Sequence, residues 1–268
     1  MSRRTLALTI GIVLTLAACS SGGDEQEASS PLTTASSTPT TTVTPADETT
    51  TTAGESQETS GTESEQPAVA CDAEGARALD LVGDGDDAFQ LGEGSAGVVL
   101  LHQNDGRHCN WVTFAETLAD AGYAVVVPAM RSGDWPQPVI PAAVAHLRQE
   151  GAEHVALVGA SMGGTYAIAA APEVDPPVDL VVAISAPDFY QGSSARDAIG
   201  ELELPVLFLV AEHDTGLVPE AESMLAQAQD GELFVQPGAA AHGIRLLDTD
   251  PASAQLVLDA LATHLQGQ

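Results

Sequence analysis

The sequence predicts an α/β domain over residues 68–268, with a mostly parallel central sheet, helices on both faces and a minimal cap or none. Three observations carry that expectation. Short β-rich apolar runs alternate with amphipathic stretches; the runs are continuously apolar, as strands buried on both faces are; and the connection Pro187–Pro205 is too short and polar for a large inserted cover.

Taken in order, Gly97–Leu101 reads as the first core strand and Trp111–Ala121 as the helix behind it. Ala124–Val127 is the next strand, followed by a helix at Pro141–Glu150; the strand Val155–Val158 leads into a helix at Met162–Ala171. Leu180–Ile184 and Val206–Val210 flank the polar connection, a helix is expected at Glu220–Gln229, and Leu233–Val235 and a helix at Pro251–Leu265 close the chain. Gly, Pro and Asp punctuate these segments. Strands alternating with helices build βαβ units, whose right-handed crossovers give a parallel sheet covered on both sides. About two hundred residues suffice for one core. Leu79–Leu91 is expected to add a weaker pair of edge strands.

Composition narrows the function. The chain has 38 acids against 8 arginines, no lysine and a formal charge of −30. Phosphate contacts need clustered Arg and Lys, so a nucleic-acid binder working through a basic face is excluded. The 44% hydrophobic content excludes a wholly disordered chain.

The first 67 residues differ from the rest. Arg3 and Arg4, an apolar run from Leu6 to Ala18 and small residues before Cys19 are the parts of an export signal. Leu16-Ala17-Ala18-Cys19 resembles the lipobox of prokaryotic lipoproteins. That resemblance implies lipidation of Cys19 and a lipid-anchored domain facing outside the cytoplasm. Ser2-Arg3-Arg4 also resembles a twin-arginine signal. Residues 20–67 are dominated by Ser and Thr and lack aromatics; such a segment buries too little apolar area to order itself and reads as a disordered stalk reaching ~40 Å.

Gly159-Ala160-Ser161-Met162-Gly163 lies between a strand and a helix, the context in which a G-x-S-x-G pattern indicates a nucleophile elbow. A serine hydroxyl needs a base to take its proton and a carboxylate to orient that base. Among seven histidines, His242 follows the last strand in a small-residue loop at the carboxyl edge of the sheet. Asp214 ends the strand before it and is favoured as the acid over Asp188, which follows the preceding strand.

With the order Ser161, Asp214, His242, residues from about Gly94 onward resemble an α/β-hydrolase. Leu100-Leu101-His102-Gln103-Asn104 resembles the His-Gly segment that supplies half of that superfamily's oxyanion hole. The match implies backbone donors at Asn104 and Met162, with His102 bracing the loop and Trp111 in the core. Gln103 departs from the usual glycine, leaving open which of Gln103 and Asn104 donates and whether its side chain enters the pocket. The resemblance implies a small-molecule ester substrate, an acyl-enzyme and no cofactor.

Cys71 and Cys109 remain as an even pair on an exported chain; either they form a disulfide beside the oxyanion segment or they are independent thiols. No Cys/His spacing implies a metal. A peptidase or thioesterase of the same fold, and a binding lipoprotein without turnover, stay open as alternatives.

Overall fold

The computed structural model describes residues 71–266 apart from 84, 86, 105, 106, 132 and 134. The export segment with Cys19, the stalk and residues 68–70 lie outside the described residues.

In chain order the strands are β1 (Arg77–Leu79), β2 (Ala88–Leu91), β3 (Ala96–Leu101), β4 (Ala124–Pro128), β5 (His154–Ala160), β6 (Leu180–Ile184), β7 (Phe189–Tyr190), β8 (Ser193–Ser194), β9 (Val206–Ala211) and β10 (Gly231–Gln236). Eight form one sheet in the order β1-β2-β4-β3-β5-β6-β9-β10, and β7 and β8 make a separate hairpin. From β4 to β10 every pairing is parallel; β2 runs antiparallel to both β4 and β1. The helices are α1 (Val112–Asp120), α2 (Val139–Gln149), α3 (Met162–Ala170), α4 (Ala195–Ala198), α5 (Leu217–Leu225), α6 (Ile244–Thr249) and α7 (Pro251–Leu261).

Strand alternation divides the apolar runs between two cores. Val99, Leu101, Leu157, Val181 and Phe208 pack with Ile140 and Leu147 of α2, Ile168 of α3 and Met224 of α5. Their neighbours Val98, Leu100, Val158, Val182 and Leu207 pack with Phe114 and Leu118 of α1 and Val257 and Leu261 of α7 on the other face. Continuous runs are therefore what a sheet covered on both sides demands, each fully buried Val or Leu contributing about 1.5–3 kcal/mol before entropy.

The chain moves from β3 through α1 to β4 on one side, then through α2 to β5 on the other. Loops leaving β3 and β5 therefore diverge at the carboxyl edge, where open α/β sheets place their ligands.

Several boundaries differ from expectation. β10 is mostly exposed or half-buried because it is an edge with β9 as its one neighbour, so its short apolar run does not mark a strand buried on both faces. α5 starts at Leu217, three residues early: Gly216, at φ 88°, turns the chain directly into the helix, and Pro219 is tolerated in the first turn. α7 begins at Pro251, with the Asp250 carboxylate accepting from Ser253 N at 2.8 Å, and ends in a π turn over Ala262–Gln266. The connection after β6, expected only to be too short and polar for a large cover, folds into the β7–β8 hairpin and α4.

Candidate active site

Ser161 joins β5 to α3 at φ 50°, ψ −116°, a conformation a non-glycine residue holds only when its surroundings impose it, at about 1–3 kcal/mol. The surroundings do. Ser161 N donates to Ile184 O at 2.8 Å, while Gly164 N and Thr165 N donate to Ser161 O at 2.9 and 3.1 Å. A methyl at Gly163 would sit 2.1 Å from Leu101 O, and one at Gly159 2.1 Å from Gly163 O, so β3, β5 and α3 meet only through glycines. The side chain is left half-buried at the carboxyl edge.

Asp214 and His242 are brought together by the loops after β9 and β10. Glu212 N donates to Gln236 O at 3.0 Å, His213 N to Ala239 O at 2.8 Å, and Gly238 N to the Glu212 carboxylate at 2.6 Å. With the loops so joined, His242 Nδ1 lies 2.9 Å from Asp214 Oδ2. The Asp214 side chain is 11% exposed and the imidazole 43%. An ionised carboxylate only accepts, so Nδ1 carries the proton and Nε2 is the basic nitrogen. Ser161 and His242 share no hydrogen bond here, and such pairs commonly tighten only on substrate binding.

Asp188 is engaged elsewhere. Its carboxylate pairs with Arg196, its carbonyl accepts from Arg196 N, and its amide donates to Glu220. Together with Thr165 Oγ1, which donates to Pro187 O at 2.6 Å, these bonds anchor the hairpin to α3 and α5.

Met162 N opens α3, where the first amides of a helix have no intrahelical acceptor. Asn104 is exposed in the turn after β3. His102 Nε2 accepts from Met130 N at 2.9 Å, which leaves Nδ1–H to donate to Gln103 O at 2.8 Å. Burial pushes the His102 pKa down, partly opposed by the bond to Gln103. This histidine thus braces the loop as a neutral ring. Gln103 is buried, and its Oε1 accepts from Ile244 N at 3.0 Å. Sequence reasoning missed that contact, and its one visible signal was a glutamine where glycine is usual. Trp111 is fully buried in the core.

Cys71 and Cys109 are joined by a disulfide with Cα atoms 5.2 Å apart. It ties the start of the domain to the 3-10 turn His108–Trp111 that follows the loop after β3. The His108 ring lies close enough that all three residues could converge on one ion, but bonded sulfurs are not thiolate ligands.

A cleft of about 460 Å³ lies at the opposite, amino edge of the sheet, between the starts of β6, β9 and β10 and the face of α7. It is remote from Ser161 and has no part in this constellation.

A dienelactone hydrolase from Anabaena variabilis superposes on the chain with a TM-score of 0.58 at 19% identity, covering 72% of this chain and 97% of its own. The domain has the α/β-hydrolase fold. An esterase from Pyrococcus furiosus matches with a TM-score of 0.55 at 17% identity, over 67% of this chain and 85% of its own. A proline iminopeptidase from Mycobacterium smegmatis matches equally well, with a TM-score of 0.55 at 14% identity over 72% and 99%. At these identities the likeness is one of fold. No protein-family model matches the chain, and no curated protein matches it in sequence.

Proposed function

We propose that the domain is a serine hydrolase that cleaves small carboxylic esters through an acyl-enzyme. The observation that carries this reading is the 2.9 Å contact between His242 Nδ1 and Asp214 on loops at the carboxyl edge of the sheet, with Gly243 beside Ala160, the residue before the strained Ser161. His242 Nε2 takes the Ser161 proton as Oγ attacks the ester carbonyl, and Asp214 stabilises the imidazolium that forms. Backbone amides of Asn104 and Met162 receive the developing oxyanion at the amino end of α3. The tetrahedral intermediate expels the alcohol, which takes its proton from His242; water then repeats the sequence and releases the acid. No cofactor enters this scheme.

The small hairpin between β6 and β9 supports a small substrate, because the strands are joined by nothing larger than Pro187–Pro205. The lipobox supports anchoring through Cys19, with the stalk holding the domain off the membrane.

The test is fluorophosphonate labelling and p-nitrophenyl acetate turnover, in the wild type and in Ser161→Ala. Both should vanish in the variant. A wild type that neither labels nor turns over would leave a binding lipoprotein, and preference for an aminoacyl amide or a thioester would move the reading to those classes.

A further inference from the structure

We propose that Gln103 is a positioning residue for His242, clamping the histidine loop to the oxyanion segment. The proposal rests on the serine-hydrolase reading of Ser161, Asp214 and His242. Gln103 is 5% exposed, and its Oε1 reaches the amide of Ile244, 141 residues away in sequence. Ile244 is the first residue of α6, whose N-cap, Gly243, offers no side chain to satisfy a leading amide. Gln103 supplies that acceptor from another loop.

The contact is close as well as polar. Gly243 has φ 60°, and a methyl there would lie 2.2 Å from Gln103 Oε1 and 3.6 Å from the Cβ of Ala160, the residue before Ser161. The residue after His242 is thus held between the oxyanion loop and the strand that ends in the nucleophile.

His242 itself follows Gly238-Ala239-Ala240-Ala241, a run with little side chain to hold it. Two points locate the ring: Asp214 holds Nδ1, and Gln103 holds the backbone two residues on. The oxyanion loop is in turn tied to Met130 by His102. One loop therefore registers the oxyanion donors and the base together. Because Gln103 is buried with its Oε1 on Ile244 N, its loss should alter the geometry of reaction and leave substrate affinity alone; a misplacement near 1 Å reduces rate by about a hundredfold.

The test uses the full chain with Gln103→Met, which keeps length and removes the acceptor, and Gln103→Glu, which keeps an acceptor. Leu147→Ala, far from the loop, controls for lost stability. For p-nitrophenyl acetate, Gln103→Met should lower kcat by about ten- to a hundredfold with KM within about twofold, and Gln103→Glu should recover most of it. The far-downfield proton resonance of the His242–Asp214 bond should broaden in Gln103→Met and persist in the control. Unchanged kcat and resonance in Gln103→Met, or a loss matched by the control at equal thermal destabilisation, would overturn the clamp. Should Gln103→Met fail to fold, amide exchange in the wild type decides: Ile244 must be protected, and fast exchange there overturns it. The resonance and exchange readouts need no turnover. A wild type without hydrolase activity therefore refutes the catalytic reading separately.

Discussion

Replacing Cys71 and Cys109 by serine removes a cross-link between residues 38 apart in sequence. On the chain-entropy relation a loop of that length restricts the unfolded chain by about 4 kcal/mol. For a domain near two hundred residues, each kcal/mol moves Tm by about 2–4 °C, so the double variant should melt about 8–16 °C lower. Polar atoms placed where Cys71 packs with Phe89 and Trp111 push in the same direction. Calorimetry with and without a thiol reductant measures the shift: reductant should lower the wild-type Tm and leave the variant unchanged. Thiol titration of the unfolded, unreduced mature protein should find neither sulfur free. A Tm change below about 2 °C would refute the reasoning. A wild type destabilised by a chelator, with two titratable thiols, would instead make Cys71, His108 and Cys109 a metal site.

Other outcomes follow from the site. Asp214→Asn should lower kcat by about 10³–10⁴-fold by presenting the wrong imidazole tautomer, whereas Asp188→Asn, which loosens only the Arg196 pair and the hairpin, should change kcat little; the opposite ranking would transfer the acid role to Asp188. Burial pushes the pKa values of His102, His108 and His146 below their ordinary 6.5. The unfolded chain then binds more protons below pH 6.5, so stability is full above that value and declines as pH falls toward the folded values, measurable by denaturant titration from pH 7.5 to 5. With no cover larger than the hairpin among the described residues, lengthening the acyl chain should add much less to kcat/KM than the ~0.8 kcal/mol per CH₂ of full burial, favouring acyl groups of two to about four carbons; a steady rise with p-nitrophenyl ester length would contradict the reading of an open site. Cys19→Ala should move the protein from the membrane fraction to the soluble one, and mass spectrometry should find the acyl chains on Cys19 in the wild type.

The amino-acid sequence by itself determined the core strands, the longer helices and the turn at Ser161. Leu180–Ile184 is visible as a strand to the residue because a fully buried strand must be apolar throughout, and Gly159, Ser161 and Gly163 announce their turn because only glycines admit the crossing backbones. The tertiary structure alone decided the sheet order, the exposure of β10 and the packing of the hairpin on α3, since each depends on which neighbours the layers supply. It also supplied the partners of two acids at the same edge, of which the sequence already favoured Asp214: that one is turned toward His242 and Asp188 toward Arg196. Gln103 is the limiting case. A single polar residue carries no periodicity, and its partner amide lies 141 residues on, so its place becomes legible only when folding brings the two loops to one edge of the sheet.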